Sequence, residues 1–230
     1  MTPLVLLPGM MCDARLYAPQ IAAFSATRPV HCAPIGAHDS MQALARDVLE
    51  NAPPRFALAG LSMGGIVAME VMAQAPERVT HLALLDTNPR AELPDVQARR
   101  GPQIDAVQNG HLREVMRDEM KPNYLIDSPN KSAILDTCMD MAMTLGADVF
   151  IRQSRALRDR PDQQDTLRDV AVPTIILCGA EDRLCPLERH ELMHALIPGS
   201  RLTVIENAAH LPTLEQPDAV NAALAKWLED

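Results

Sequence analysis

Residues Leu58-Ala59-Gly60-Leu61-Ser62-Met63-Gly64-Gly65 set a serine between glycines where one apolar run gives way to another. The pattern is G-x-S-x-G. A serine hydroxyl becomes a nucleophile when a sharp strand-to-helix turn presents it and a base takes its proton. The flanks predict that turn: Arg55–Ala59 suits a buried strand, and Ile66–Ala73 is almost wholly apolar, as a helix buried on a sheet should be. Gly60 and Gly64 lack the Cβ that would clash where strand and helix cross closely.

A nucleophilic serine needs a base, and the base needs an orienting acid. Asp182, in Cys178-Gly179-Ala180-Glu181-Asp182-Arg183, and His210, in Glu206-Asn207-Ala208-Ala209-His210-Leu211-Pro212, each follow an apolar run. Parallel strands place their C-terminal ends on one sheet edge, so Ser62, Asp182 and His210 are expected to converge there. Asp86 also ends an apolar run and is a rival for the acid. His31 and His81 fall in strand patterns, while His38 and His111 have no partner pattern. An oxyanion needs backbone N–H donors. Met63, opening the helix after Ser62, is one expected donor. Met10 is the other, in Pro8-Gly9-Met10-Met11, with Gly9 expected to supply the bend. Cys12 reads as an ordinary small loop residue.

A second pattern competes. His190-Glu191-Leu192-Met193-His194 matches H-E-x-x-H, the helix of zinc proteases, and Glu206 or Glu215 could be a third ligand. The zinc reading is disfavoured because this helix is an ordinary link between two strands that stops at Pro198-Gly199. Its other face, with Leu192 and Leu196, must pack on the sheet.

The positioning elements follow from periodicity. Strands are expected at Leu4–Leu7, Val30–Ala33, Phe56–Leu61, His81–Asp86, Thr174–Cys178 and Arg201–Ile205, alternating with helical patterns. Met41, Leu44, Ala45, Val48 and Leu49 form one helix face behind an N-cap at Ser40. Val220, Ala223, Leu224, Trp227 and Leu228 repeat that spacing, with Pro217 in the first turn. From Asn88 to about Asp165 the alternation stops, and helical patterns punctuated by Pro94, Gly101-Pro102, Pro122, Pro129 and Gly146 take over. An all-helical insert there would cover the crevice at the strand ends. Its methionines, Met116, Met120, Met139, Met141 and Met143, fit either a pocket roof or the insert's own core.

Composition narrows the classes. The 230 residues are 47% hydrophobic with a net charge of −9, enough for one large domain and unsuited to a nucleic-acid partner. Five cysteines without a C-x-x-C pair argue against a disulfide framework or a structural zinc and for a reducing compartment. No leader-like or membrane-spanning run is present, so a cytoplasmic chain is expected.

These motifs together resemble the α/β-hydrolase fold family in its cap-bearing serine hydrolase branch. Leu4–Gly9 resembles the oxyanion strand and loop, Gly60–Gly65 the nucleophile turn, Val172–Asp182 the acid strand and loop, and Asn207–Pro212 with Glu215-Gln216-Pro217 the histidine loop and final helix. The resemblance implies a core of residues 1–87 and 166–230 around a helical cap at 88–165. It implies a sheet reduced to six parallel strands in family order 4-3-5-6-7-8, because the family's first two strands have no counterpart. Pro8-Gly9 replaces the usual His-Gly, and Gly36-Ala37-His38-Asp39-Ser40 lacks the usual Arg-Gly-His-Gly run. The implied activity is cleavage of a carboxylic ester or thioester of a small, largely apolar acyl substrate. Ser62 would be the nucleophile, His210 the base, Asp182 its orienting acid, and the Met10 and Met63 amides the oxyanion donors. No cofactor, metal, nucleic acid or membrane partner is implied. Carbon–carbon bond hydrolysis of a diketone-like acid and non-catalytic small-molecule binding are the alternatives on the same fold.

Overall fold

All six apolar runs become strands of one parallel sheet in the computed structural model, which describes residues 1–230. The strands are β1 (Leu4–Leu7), β2 (Val30–Cys32), β3 (Phe56–Leu61), β4 (Val79–Leu85), β5 (Thr174–Gly179) and β6 (Arg201–Ile205), in the order β2-β1-β3-β4-β5-β6. This is the six-strand α/β-hydrolase order expected above. Three strands match their expected bounds. β4 begins earlier because Val79 pairs with Phe56 across a register shift, and it ends at Leu85 because Asp86 turns to φ +44°. Edge strand β2 stops at Cys32, its last paired residue, and β5 runs on to Gly179, which pairs with Ile205.

Alternate strand residues feed two cores, as the period of two requires. Val5, Leu7, Leu58, Leu82, Leu84 and Ile176 meet α2 (Met41–Asn51), α3 (Met63–Gln74) and α8 (Leu187–Leu196) on one face. Leu4, Leu6, Ala57, Ala59, Leu85 and Leu177 face α1 (Ala18–Phe24) and α10 (Pro217–Trp227) on the other. Ser40 caps α2, its Oγ accepting from Ala43 N–H at 3.4 Å. α3 is buried almost throughout, which explains why its sequence is apolar on every side.

Between β4 and β5 lies the inserted helical region: α4 (Pro94–Gln108), α5 (Leu112–Val115) and α6 (Lys131–Arg158). A short α7 (Gln164–Arg168) leads back to the core, and α9 (Pro212–Glu215) precedes α10. Gly101-Pro102 does not interrupt α4. Pro102 and Ala98, whose carbonyl loses its helical donor, are both exposed, so water can serve that carbonyl. Gly146 does break regularity: at φ +82° it kinks α6. Of the five insert methionines, Met116, Met139 and Met141 are buried in the cores, Met143 is exposed, and only Met120 lines the crevice. Three of the five therefore fill the cores that the insert shares with the sheet, neither a core of its own nor the pocket roof.

Strand order reverses direction between β1 and β3, and an open parallel sheet has its crevice at such a switch point. The loops after these two strands carry Met10 and Ser62.

Candidate active site

Ser62 sits between β3 and α3 with φ +54° and ψ −116°, a conformation that L-residues rarely adopt. The surroundings enforce it. A Cβ on Gly60 would lie 2.2 Å from the Gly64 carbonyl oxygen, and one on Gly64 would lie 2.0 Å from that of Leu7. Ser62 N–H donates to Leu85 O at 2.9 Å, and Thr87 Oγ1 donates to Ser62 O at 2.7 Å. α3 follows at once, and Met63 N–H has no acceptor within the chain.

His210 lies in the loop after β6, with Asn207 in the left-handed region at φ +56°. Its Nδ1 meets Asp182 Oδ2 at 2.8 Å, and both side chains are buried. Asp182 Oδ1 accepts from Leu184 N–H (2.8 Å) and Cys185 N–H (3.0 Å). Burial alone would raise this carboxyl. The His210 charge and hydrogen bond, with the two amides, outweigh it and hold Asp182 below the usual carboxylate range. The histidine loop is fastened from both sides. Glu215 Oε2 accepts from Ala209 and Leu211 N–H, its Oε1 accepts from Ile126 N–H of the insert, and His210 N–H donates to Tyr124 O. Ser62 and His210 line one cleft without a hydrogen bond between them. Such bonds are commonly long until substrate is in place.

Asp86 does not touch His210. It is fully buried, its Oδ1 accepts from Gly179 N–H at 2.9 Å, and its carboxyl meets that of Asp182. Burial first, then the Asp182 charge, push its pKa far up. That shift favours the protonated carboxyl, which would give the otherwise unpartnered Oδ2 a proton to donate.

The loop after β1 departs from expectation in its mechanics. A β-turn closes from Cys12 N–H to Gly9 O at 3.1 Å, and its left-handed residue is Met11, at φ +55°. Gly9 has room for a Cβ and no positive φ, so the bend does not depend on it as expected. Met11 is held instead by Gln153 of α6, whose Oε1 accepts from Met11 N–H at 2.8 Å while its Nε2 donates to Ile35 O at 3.0 Å. Gln153 gave no signal in the sequence: its partners lie 142 and 118 residues away. Met10 N–H has no acceptor within the chain. Cys12 is buried and its thiol pKa is pushed far up by that burial, which suits an inert loop residue.

The H-E-x-x-H histidines are occupied by other partners. His190 is fully buried, its Nε2 accepting from Thr87 N–H at 3.2 Å and its Nδ1 facing Pro186 O at 3.3 Å. His194 Nδ1 pairs with Ser200 Oγ at 2.8 Å. His190 thus supports Thr87, which in turn holds Ser62. Burial foremost, aided by His210 and Arg189 and opposed by Asp182 and the Pro186 carbonyl, lowers His190 from 6.5 to about 4. A base depressed in the folded state contributes stability above pH 6.5 that is lost as pH falls toward 4, on the order of 3 kcal/mol. Urea unfolding at several pH values should show that loss, and His190→Gln should flatten it. An unchanged slope would contradict the assignment.

The cleft, of about 220 Å³, is walled by Met10, Leu61, Ile66, Val96, Met120 and Leu157 among others. That is below the roughly 300–1,000 Å³ common for drug-sized ligands, so it suits a small molecule. No helix is long and apolar enough to cross a membrane.

Comparison with known proteins agrees with this architecture. Residues 4–223 match the model described as "Alpha/beta hydrolase family". The pimeloyl-[acyl-carrier protein] methyl ester esterase of Neisseria meningitidis serogroup B is 25% identical over 176 residues, 74% of this chain and 67% of that one. Its counterpart from Pectobacterium carotovorum is 28% identical over 237 residues, 95% and 91% of the two chains. A thermophilic esterase from Thermogutta terrifontis superposes with a TM-score of 0.91 at 26% identity, covering 100% of this chain and 90% of that one. A strained serine turn, a buried Asp–His pair, a six-strand parallel sheet and a match over nearly the whole length agree: the chain belongs to the alpha/beta hydrolase family.

Proposed function

We propose that the chain is a serine esterase that cleaves a carboxylic ester, or a thioester, of a small substrate through an acyl-enzyme. The observation that carries this reading is the 2.8 Å His210–Asp182 bond on the wall of the cleft that Ser62 lines. The names of the relatives, methyl ester esterases and an esterase, support an ester as the bond broken.

Ser62 Oγ attacks the ester carbonyl while His210 Nε2 takes its proton. Asp182, ionised and fixed by two amides, keeps the other imidazole nitrogen protonated and stabilises the charged ring. The Met10 and Met63 N–H groups, lacking acceptors of their own, receive the oxyanion. His210 then returns the proton to the leaving alcohol, and water repeats the sequence on the acyl-enzyme. Asp86, whose carboxyl burial pushes toward its protonated form, lies beside Asp182 without facing the reacting atoms as base or acid. Residues 88–165 act as a cap: Tyr124, Met120, Leu157 and Arg100 close the cleft from above the strand ends. A reducing, cytoplasmic setting agrees with five free cysteines.

Turnover of p-nitrophenyl acetate, butyrate and octanoate tests the activity. Hydrolysis favouring the short chains is expected, and release no faster than the uncatalysed rate with all three would contradict the reading. Gln153→Ala should lower kcat roughly tenfold with little change in KM, because it frees the turn that aims the Met10 amide. An effect confined to KM would place Gln153 in substrate binding instead.

A further inference from the structure

Opposite the serine turn, the cleft wall carries an imbalance of charge that ester cleavage does not need. Arg100, Arg160 and Arg189 all line it, and Glu92 is the one lining carboxylate. Arg100 and Arg160 are buried, at 9% and 8% exposure, and both spend their charge on that single glutamate. Glu92 Oε2 accepts from Arg100 Nη2 (2.9 Å), Arg100 Nε (3.3 Å) and Arg160 Nη1 (3.2 Å), and Oε1 lies 3.1 Å from Arg160 Nη2. Arg160 Nε and Arg189 Nη1 are taken by the carbonyls of Arg90 (2.9 Å) and Leu184 (2.8 Å), which neutralise nothing. Arg100 Nη1 has only the Met10 thioether, at 3.9 Å.

Burying two guanidiniums against one carboxylate is unfavourable unless a further anion completes the set. The Arg160 pKa reflects this: burial lowers it, Glu92 opposes, and the Arg100 and Arg189 charges lower it further. A chain with a net charge of −9 does not acquire such a surplus from general basicity. The Arg100 edge and the Met10 amide are separated by one methionine side chain, so an anion held by Arg100 lies a short chain away from a carbonyl at Ser62.

We infer that the cleft selects esters carrying a second, anionic group: a carboxylate on the substrate, a few atoms from the scissile carbonyl, is received by the free edge of Arg100 with Arg160 and Arg189 behind it. The inference rests on the esterase reading and narrows its substrate class. The apolar wall of Met10, Val96, Met120 and Leu157 takes the methylenes between the two ends.

Matched ester pairs test it. Monomethyl glutarate against methyl valerate places the carboxylate on the acyl side, and β-acetoxypropionate against isopentyl acetate places it on the alcohol side. For at least one pair, kcat/KM should favour the anion by on the order of tenfold to a hundredfold at low salt, the range expected for hydrogen bonds to a charged group. The preference should shrink as ionic strength rises. Arg100→Met should bring the anionic-to-neutral ratio toward one. Arg189 is only half-buried and outside the Glu92 network, so Arg189→Met gives a partial loss if the first variant fails to fold. Turnover of neutral esters with no anionic preference in either pair would overturn this inference and leave the esterase reading standing. If no ester is hydrolysed, the esterase reading fails, and calorimetric binding of glutarate decides the anion site alone. Binding weakened by either arginine variant supports the site, and no binding overturns it.

Discussion

Ser62→Ala is expected to lower kcat for any ester substrate by about 10⁵- to 10⁶-fold, with the folded state as stable as the parent. The size follows from the role: without Oγ there is no acyl-enzyme, and what remains is the polarising effect of the amides and of substrate binding. The stability expectation follows from the backbone. Ser62 is held at φ +54° by its neighbours, and alanine inherits that strain unchanged. Glycine does not, so Ser62→Gly should be as inactive and more stable by about 1 kcal/mol. Thermal unfolding of the three proteins, with stopped or continuous assays of ester release, checks both halves. A glycine variant less stable than the parent would mean that the strain is not where the geometry puts it. An alanine variant retaining a tenth of the activity would remove Ser62 from the chemistry.

Two buried carboxyls sit side by side beyond β4 and β5, and the same substitution should cost one of them far more activity than the other. Asp182→Asn should lower kcat by about 10⁴-fold. The amide places a donor against His210 Nδ1, forcing the ring into the tautomer whose Nε2 already carries a proton and cannot accept one from Ser62. Asp86→Asn should change kcat less than about threefold. Burial favours the neutral form of Asp86, whose Oδ1 accepts from Gly179 N–H, and asparagine can keep that bond while offering Nδ2 where the acid would offer its proton. Kinetics of the two variants on one chromogenic ester, with circular dichroism to confirm folding, separate them. Equal losses, or the larger loss at Asp86, would reverse the assignment of the acid.

Legibility in the sequence followed locality. Ser62 was visible because a tight strand-to-helix crossing demands glycines at fixed offsets, and 2.0–2.2 Å clashes at Gly64 and Gly60 are the physical form of that demand. Asp182 and His210 were visible because parallel strands deliver their following loops to one edge. Asp86 and Asp182 both follow apolar runs, and only three-dimensional contact shows which of them meets His210. Pairing partners decided the strand ends: Val79 joined β4 through Phe56, and Gly179 joined β5 through Ile205. The helical region was legible as an interval without strands, and of its expected breaks only Gly101-Pro102 fails to interrupt a helix. Pro102 is tolerated because solvent reaches the carbonyl it deprives, whereas Gly146 departs from the helix. Gln153, Arg100 and Arg160 were silent for a common reason. Each acts through partners brought close only by the insert folding over the strand ends, and no spacing records that.

The proposed mechanism requires Ser62 to be the residue acylated during turnover, and reaction with a fluorophosphonate puts that to the test. Intact-mass measurement should show one phosphonyl group per chain, and peptide mapping should place it on Ser62. Labelling should be abolished in Ser62→Ala, strongly slowed in His210→Ala, and indifferent to a chelator. An adduct on any other residue would remove Ser62 from that role, as would ester turnover by a chain that takes up no phosphonyl group.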